Sequence, residues 1–492
     1  MAGYNQETYK YEYLEGYRQG FSGNNLHEIN AGATNGQTSG GSAKEWAIQS
    51  FLGRLNYDYL GRYLLEANIR YDGTSRLHKD YRWGAFPSVS AGWRISEESF
   101  MKSFTFINNL KIRSSYGELG NQNIGYYPYQ EMLKLDYNYT FDNASVSPGA
   151  GPEAMSNQKL LWERTGVWDI GADLSILDNK LSFVFDWYKK KTVDILRSSQ
   201  IPSNIGLTAP TVNNGEVTNT GIELSITHQN RLKNGFYYSV SAMINKNTNK
   251  LTSFGKDEKG NYSIKQEGKP WDSFYLYKWT GIFQNEEEIK NHATQPYNPQ
   301  PGDLKYEDIS GPDGKPDGKI DSQDKVIVNG RFPKFEYSLN LNAEYKNFYI
   351  SAFFQGVQGI KFYVGGWGFE PFCQGAAPTV DWRNRWTPEN PTNEKPRIYM
   401  GRETPSMSGM PSTYFLKNGS YLRLKSLQIG YTFEQEWLKQ MKVNSVRLYF
   451  SGDNLFTITK YPYLDPERTS SDGSFALYPQ NRVLSLGASI NF

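Results

Sequence analysis

Cysteine occurs once in the 492 residues, as Cys373. A single thiol excludes an internal disulfide framework and any multi-thiolate metal cluster. Histidine is nearly as scarce, and His27, His78, His228 and His292 have no metal-ligand spacing among themselves. No window approaches eighteen consecutive apolar residues, which excludes a transmembrane helix. Charge of one sign is also missing. The 53 basic and 51 acidic residues are interspersed and sum to +2, so nucleic acid finds no basic face to bind. The opening MAGYNQETYKYEY lacks a charged segment followed by an apolar core, so no signal peptide is expected. Nucleophile elbow, H-E-x-x-H and Walker patterns are absent. SNQK, residues 156–159, matches S-x-x-K without its companion motifs. Nothing marks a facing carboxylate pair of the glycosidase kind. The expectation is a non-enzyme.

Aromatic residues, by contrast, are abundant. They make up 15% of the chain (36 Tyr, 27 Phe, 12 Trp), while hydrophobic residues reach only 38%. Mean hydropathy is −0.66. A soluble fold burying this many rings would normally bury more aliphatic side chains with them. A transmembrane β-barrel has no such need, because only alternate strand residues meet lipid and aromatic girdles mark both interfaces. A sugar-binding surface is also rich in Tyr and Trp, so composition leaves both readings open.

Period-2 alternation runs through the sequence. In RYLLEANIRYD, Tyr63, Leu65, Ala67, Ile69 and Tyr71 oppose Arg62, Glu66, Asn68, Arg70 and Asp72. The pattern recurs in FLGRLNYDY, WDIGADLSI, LSFVFDW, FEYSLNLNAEY and VRLYFSGDN. In YLRLKSLQIGYTF the apolar phase switches near Ser426, as at a β-bulge. Connections alternate in length. Tight or medium ones near Gly61, 96–108, 178–180, 231–235, 346–347 and 434–444 alternate with long ones near 119–162, 197–218, 251–334, 359–419 and 458–481. A sandwich has no reason to keep its long loops on one side. An outer-membrane barrel does. The fold class expected is all-β, an antiparallel transmembrane barrel of the outer-membrane type, here a partial barrel of about fourteen strands with long extracellular loops.

Seven stretches also resemble a known family. LGRLNYDYLGRYLLEANIRYDGTSRL, FPSVSAGWRISEESF, LKIRSSYGELGNQNIGYY, FPKFEYSLNLNAEYKNFYISAFFQGVQG, GSYLRLKSLQIGYTF, SGDNLFTITKYPYLDPE and YPQNRVLSLGASINF occur in order over nearly the whole chain. They look like the C-terminal barrel portion of SusC/RagA-type TonB-dependent outer-membrane transporters. The resemblance implies an outer-membrane location and import of oligosaccharides or peptides. It also implies a SusD-like lipoprotein over the mouth and energy from the TonB complex. It implies that Phe492, on the apolar side of NRVLSLGASINF, is the signal read by the barrel-assembly machinery. Residues 1–492 show no plug, TonB-contacting segment or signal peptide of that family, so a C-terminal barrel fragment is expected. The alternatives are a secreted all-β glycan-binding protein or a nonfunctional truncated gene product.

Candidate site residues fall into three groups. Arg54, Arg70 and Asp72 lie on the charged strand faces and would line a lumen. Trp367, Trp382 and Trp386 lie in the 359–419 connection, where stacking on sugar rings, partner contact and packing of the loop itself are all open. In EDISGPDGKPDGKIDSQDKV, Asp313, Asp317, Lys319 (through its carbonyl), Asp321 and Asp324 approach EF-hand spacing, which makes a calcium ion in the 308–324 loop a cofactor expectation. The plainer reading is an Asp/Gly/Pro turn cluster.

Overall fold

The computed structural model describes residues 1–141, 145–463, 465–468, 477–478 and 480–492. Parts of the 119–162 and 458–481 connections therefore lie outside the described residues. Fourteen strands form one antiparallel sheet in simple chain order. They are β1 (Ala2–Gln19), β2 (Ala33–Tyr59), β3 (Tyr63–Thr74), β4 (Trp83–Arg94), β5 (Ile107–Asn121), β6 (Glu163–Ile176) and β7 (Leu181–Val193). They continue as β8 (Glu216–Arg231), β9 (Tyr237–Ser253), β10 (Phe335–Tyr345), β11 (Phe348–Gln358), β12 (Tyr421–Phe433), β13 (Ser445–Thr459) and β14 (Val483–Asn491). Connections leave the two ends of the strands in turn, and 20–32, 75–82, 122–162, 194–215, 254–334, 359–420 and 460–482, which include all the longest, leave the same end. Two compact units divide the chain. One holds Met1–Trp93, Ser114–Trp168 and Lys190–Glu216; the other holds Arg94–Arg113, Asp169–Lys189 and Val217–Phe492.

In the first unit, β3 pairs antiparallel with β2 and β4 in a register that puts Ile69 beside Gly53 and Pro87, and Arg70 beside Leu52 and Phe86. Its apolar face is open. Leu55 is 67% exposed and Ile69 51%. Rings gather at both ends of this face. Tyr59, Tyr63 and Trp93 stack at one end, and Phe51 and Tyr71 flank Trp83 at the other. The eight residue-to-residue steps from Tyr63 to Tyr71 span roughly 26 Å of strand. That is close to the height of the lipid-facing band of an outer-membrane barrel, with interfacial girdles on either side.

The second unit repeats the arrangement. Leu448, Ile429, Ile350 and Phe348 occupy one face of β11–β13 and stay exposed. The phase switch near Ser426 is a bulge at Lys425. Phe353 pairs with Ser426 and Phe354 with Leu424, so Lys425 is the extra residue against β11. The bulge keeps Leu422 and Leu424 on the same face as Leu427 and Ile429.

Burial lies elsewhere. The large hydrophobic cluster is built from connections: Tyr277, Tyr306, Phe369, Trp382, Trp386, Tyr414, Phe415 and Tyr461 are among its members. Segments 258–259, 263–265, 273–277 and 325–328 form a four-stranded sheet of their own. Segments 279–282 and 304–306 pair, as do 361–363 and 416–418. The two longest connections are thus one folded module.

A charge in the middle of the open face meets lipid, whereas one on the opposite face does not. Ile69→Arg should cost about 2–4 kcal/mol in unfolding from lipid vesicles, and its neighbour Asn68→Arg much less. Equal effects on both faces would contradict the assignment.

Candidate functional site

The faces opposite the apolar ones carry charge, and the charges are paired. In the first unit, Ser50, Arg54 and Asn56 of β2 share a face with Asp72, Asn68 and Glu66 of β3. Arg70 donates from Nε and Nη2 to the two Asp72 oxygens at 3.3 and 3.1 Å, and from Nη2 to Ser50 Oγ at 3.2 Å. Arg54 pairs with Glu66 and also donates to Asn56 Oδ1. Asn68 Nδ2 bridges Glu66 and Ser88. The side chains of Arg54 and Arg70 are half exposed and that of Asp72 nearly covered. Arg70, Asp72, Phe86, Ser88, Tyr116 and Trp162 bound a concavity of about 720 Å³ on this face. Trp162 closes one wall, donating from Nε1 to the Arg82 carbonyl at 2.8 Å and standing edge-on to Phe86.

In the second unit, Arg113 of β5 is surrounded by three carboxylates. Its guanidinium reaches Asp186 at 2.7 Å, Asp173 at 3.3 Å and Asp169 at 3.4 Å. All four side chains belong to the alternating charged positions of their strands, so the same period that located Arg70 could have located them. Arg423 of β12 is 3% exposed and holds Asp465 at 2.7 Å and Glu467 at 2.9 Å. Lys425 reaches Glu467 from the bulge at 2.8 Å. Asp465 and Glu467 sit in the 460–482 connection, far from Arg423 in sequence, and only the fold reveals the pairing.

The tryptophans separate. Trp382 and Trp386 are 3% and 7% exposed and belong to the loop core, so of the three uses left open to them these two rings take the packing of the loop rather than ligand contact. The Trp382 indole donates to the Phe369 carbonyl at 3.2 Å and that of Trp386 to Gln284 Oε1 at 3.0 Å. Buried rings need their N–H satisfied, and the module does so internally. Trp367 is 44% exposed and stays available.

The acidic loop is not gathered around a point. Among the described residues, no group of three or more His, Cys, Asp or Glu is placed to hold a metal ion. Its carboxylates cap turns instead. Asp308 accepts from the Asp317 and Gly318 N–H groups, and Asp317 from Lys319. Fully buried Asp324 accepts from Ile309, Ser310 and Asp321, and Asp321 from Gln323. Among the described residues, Asp313 makes no such bond to the others.

The module also buries ionisable groups. Asp303 accepts from the Gln300 N–H, Tyr399 hydroxyl and Ser406 hydroxyl, and burial raises its carboxyl above the usual range. Lys417 donates to the Tyr414 carbonyl at 2.9 Å and lies over the Tyr414 ring. Burial, with Lys395 as a smaller cause, pushes its ammonium down to about 8.

A model described as "TonB dependent receptor-like, beta-barrel" matches residues 2–455. TonB-dependent receptor P3 of Formosa agariphila is 30% identical over 91% of this chain and 46% of its own length. TonB-dependent receptor SusC of Bacteroides thetaiotaomicron is 30% identical over 90% of this chain and 44% of its own. The chain thus spans about half the length of the curated relatives it matches. Among solved structures, the RagAB peptide importer in its open-open state superposes with a TM-score of 0.84 at 24% identity. The match covers all of this chain and 52% of that one, a likeness of fold.

Two outcomes follow. Arg423→Met strands the buried Asp465 carboxylate and leaves Glu467 only Lys425, and should cost about 3–5 kcal/mol, with faster proteolysis at 460–482. Unchanged proteolysis would mean the ion pairs do not hold that connection. Lys417 has its folded pKa below its unfolded one, so the unfolded state binds more protons between them. Module stability, followed by tryptophan fluorescence in urea, should therefore rise from pH 8 towards pH 10. Lys417→Met should flatten that rise, and an unaltered slope would assign it to another group.

Proposed function

The chain belongs to the TonB-dependent receptor-like β-barrel family, and from that premise we propose that it is the C-terminal barrel portion of a SusC/RagA-type transporter. It is an outer-membrane chain, and on this reading the long connections face outward. The cargo is an oligomeric nutrient, an oligosaccharide or a peptide. A SusD-like lipoprotein covers the outer end, and the TonB complex energises release. The plug and the TonB contact of the complete transporter lie outside residues 1–492.

The observation that carries this reading is the inversion of the strands. Their apolar faces are open and ring-bounded, while their charged faces are internally paired. Such a wall suits a wet lumen, where paired charges cost little and bind a passing polar ligand only weakly. Arg54, Arg70 and Asp72 line that path. Trp367, exposed on the folded module, meets the lid or the ligand. Phe492 follows β14 on its lipid side with Ile490 and is the residue the assembly machinery reads. A secreted glycan binder would have covered the faces of Leu55, Ile69 and Leu448 with a second layer.

In cells carrying the complete transporter, uptake of a fluorescent oligomeric substrate should stop when TonB is removed. Outer-membrane abundance of the barrel should stay the same. Unchanged uptake without TonB would overturn the proposal.

A further inference from the structure

The second unit holds a cavity of about 1140 Å³ at the long-loop end of β9–β12. Its lining includes Lys246, Arg331, Lys334, Lys361 and Lys417 and no carboxylate. Two of these cations are already occupied. Arg331 pairs with Asp272 at 3.0 Å, outside the lining, and Lys417 is turned onto the Tyr414 carbonyl. The other three make no ion pair among the described residues. Lys246 rests only over the Phe335 ring, 5.8 Å from its centroid. This contrasts with the strand faces, where Arg70, Arg113 and Arg423 each have a carboxylate partner.

Lys334 and Lys361 are set by a reciprocal arrangement. The Lys334 N–H donates to the Gln358 carbonyl at 2.8 Å and the Lys361 N–H to the Gly330 carbonyl at 2.7 Å. The stem of Lys334 lies over Gly359 (φ +79°), where a Cβ would come within 2.7 Å of it. The stem of Lys361 lies over Gly330 (φ +125°) at 3.0 Å from the same notional atom. Each glycine has a backbone that side chains avoid, and each leaves room for one lysine. Both lysines are exposed to solvent at the cavity, and neither has a carboxylate partner among the described residues.

We infer that this cavity binds an oligosaccharide bearing carboxylate or sulfate groups, with Lys334 and Lys361 as its anion contacts. The inference rests on the oligomer-import reading and narrows its cargo. The volume exceeds the roughly 300–1,000 Å³ of ordinary small-molecule pockets, as an oligomer requires. The wall also carries the carboxamides Asn247, Asn329 and Asn418. A carboxamide offers both donor and acceptor, which matches the hydroxyls of a sugar ring. An acidic peptide is the competing occupant.

Titration calorimetry on the whole 492-residue chain in detergent decides between them. The probes are an oligogalacturonate hexamer, a sulfated galactan hexamer, a neutral galactan hexamer and hexaglutamate. At least one anionic saccharide should bind, more weakly as salt rises, and the one preferred identifies the anion. Lys334→Gln with Lys361→Gln should weaken it roughly tenfold or more, for two charge-assisted hydrogen bonds lost. Lys346→Gln, at the short hairpin, should not. Hexaglutamate binding as tightly as the saccharides, equal binding of the neutral galactan, or an unaffected double variant would each overturn the inference. Binding is read without uptake, so this inference and the transport reading fail independently.

Discussion

Lipid offers the backbone no hydrogen bonds, and every other feature of this chain follows from that constraint. A strand crossing a bilayer must give its N–H and C=O groups to neighbouring strands. Its side chains then divide by period alone, one face to hydrocarbon and one to water. β3 shows the result in twelve residues: Tyr63, Leu65, Ile69 and Tyr71 stand open, while Glu66, Asn68, Arg70 and Asp72 hold one another across to Arg54, Ser50 and Ser88. A soluble protein places its core where its regular structure is. Here the regular structure has lipid for its core.

Since the sheet buries little, the tightly packed part of the chain lies in its connections. The module of 254–334 and 359–420 has what a small soluble domain has: its own sheets, a ring-rich interior and buried polar groups answered by local donors. Tyr262 and Tyr363 stack 4.4 Å apart across the two connections, and the Trp279 backbone N–H donates to Thr413 Oγ1. Long flexible loops would pay an ordering cost each time a ligand or lid engaged them. A loop with its own core has met that cost in folding.

How much was legible in the sequence depends on the range of the interaction. Strand number, faces and the bulge near Ser426 depend on nearest neighbours, and periodicity reports them directly. Arg70 with Asp72 is the same case, two residues apart on one face. For Trp382 and Trp386 the periodicity leaves ligand, partner and loop packing open, because a ring in a loop is ambiguous until the loop's own core is seen. The acidic run was ambiguous for a similar reason: carboxylates spaced to converge on an ion are also spaced to cap turns. Arg423 with Asp465, and the Lys334–Gly359 and Lys361–Gly330 crossings, join segments that no local pattern connects.

The bulge at Lys425 shows how a local irregularity becomes a long-range tie. Without an extra residue, β12 would have to change faces midway, and Leu422 and Leu424 would turn from lipid to water. The extra residue preserves the apolar phase on both sides, and on β13 Asn454 takes up the local twist at φ +53°. Lys425 is then free of the ladder's regular pairing and reaches Glu467 beside Arg423. Two cations close together on the strand would repel in a low-dielectric wall. The carboxylates of Asp465 and Glu467 neutralise them, and in doing so tie residues 465–467 to the strand. The same residue that keeps the lipid face continuous therefore helps hold Glu467, so a contact far away in sequence is set from within the wall.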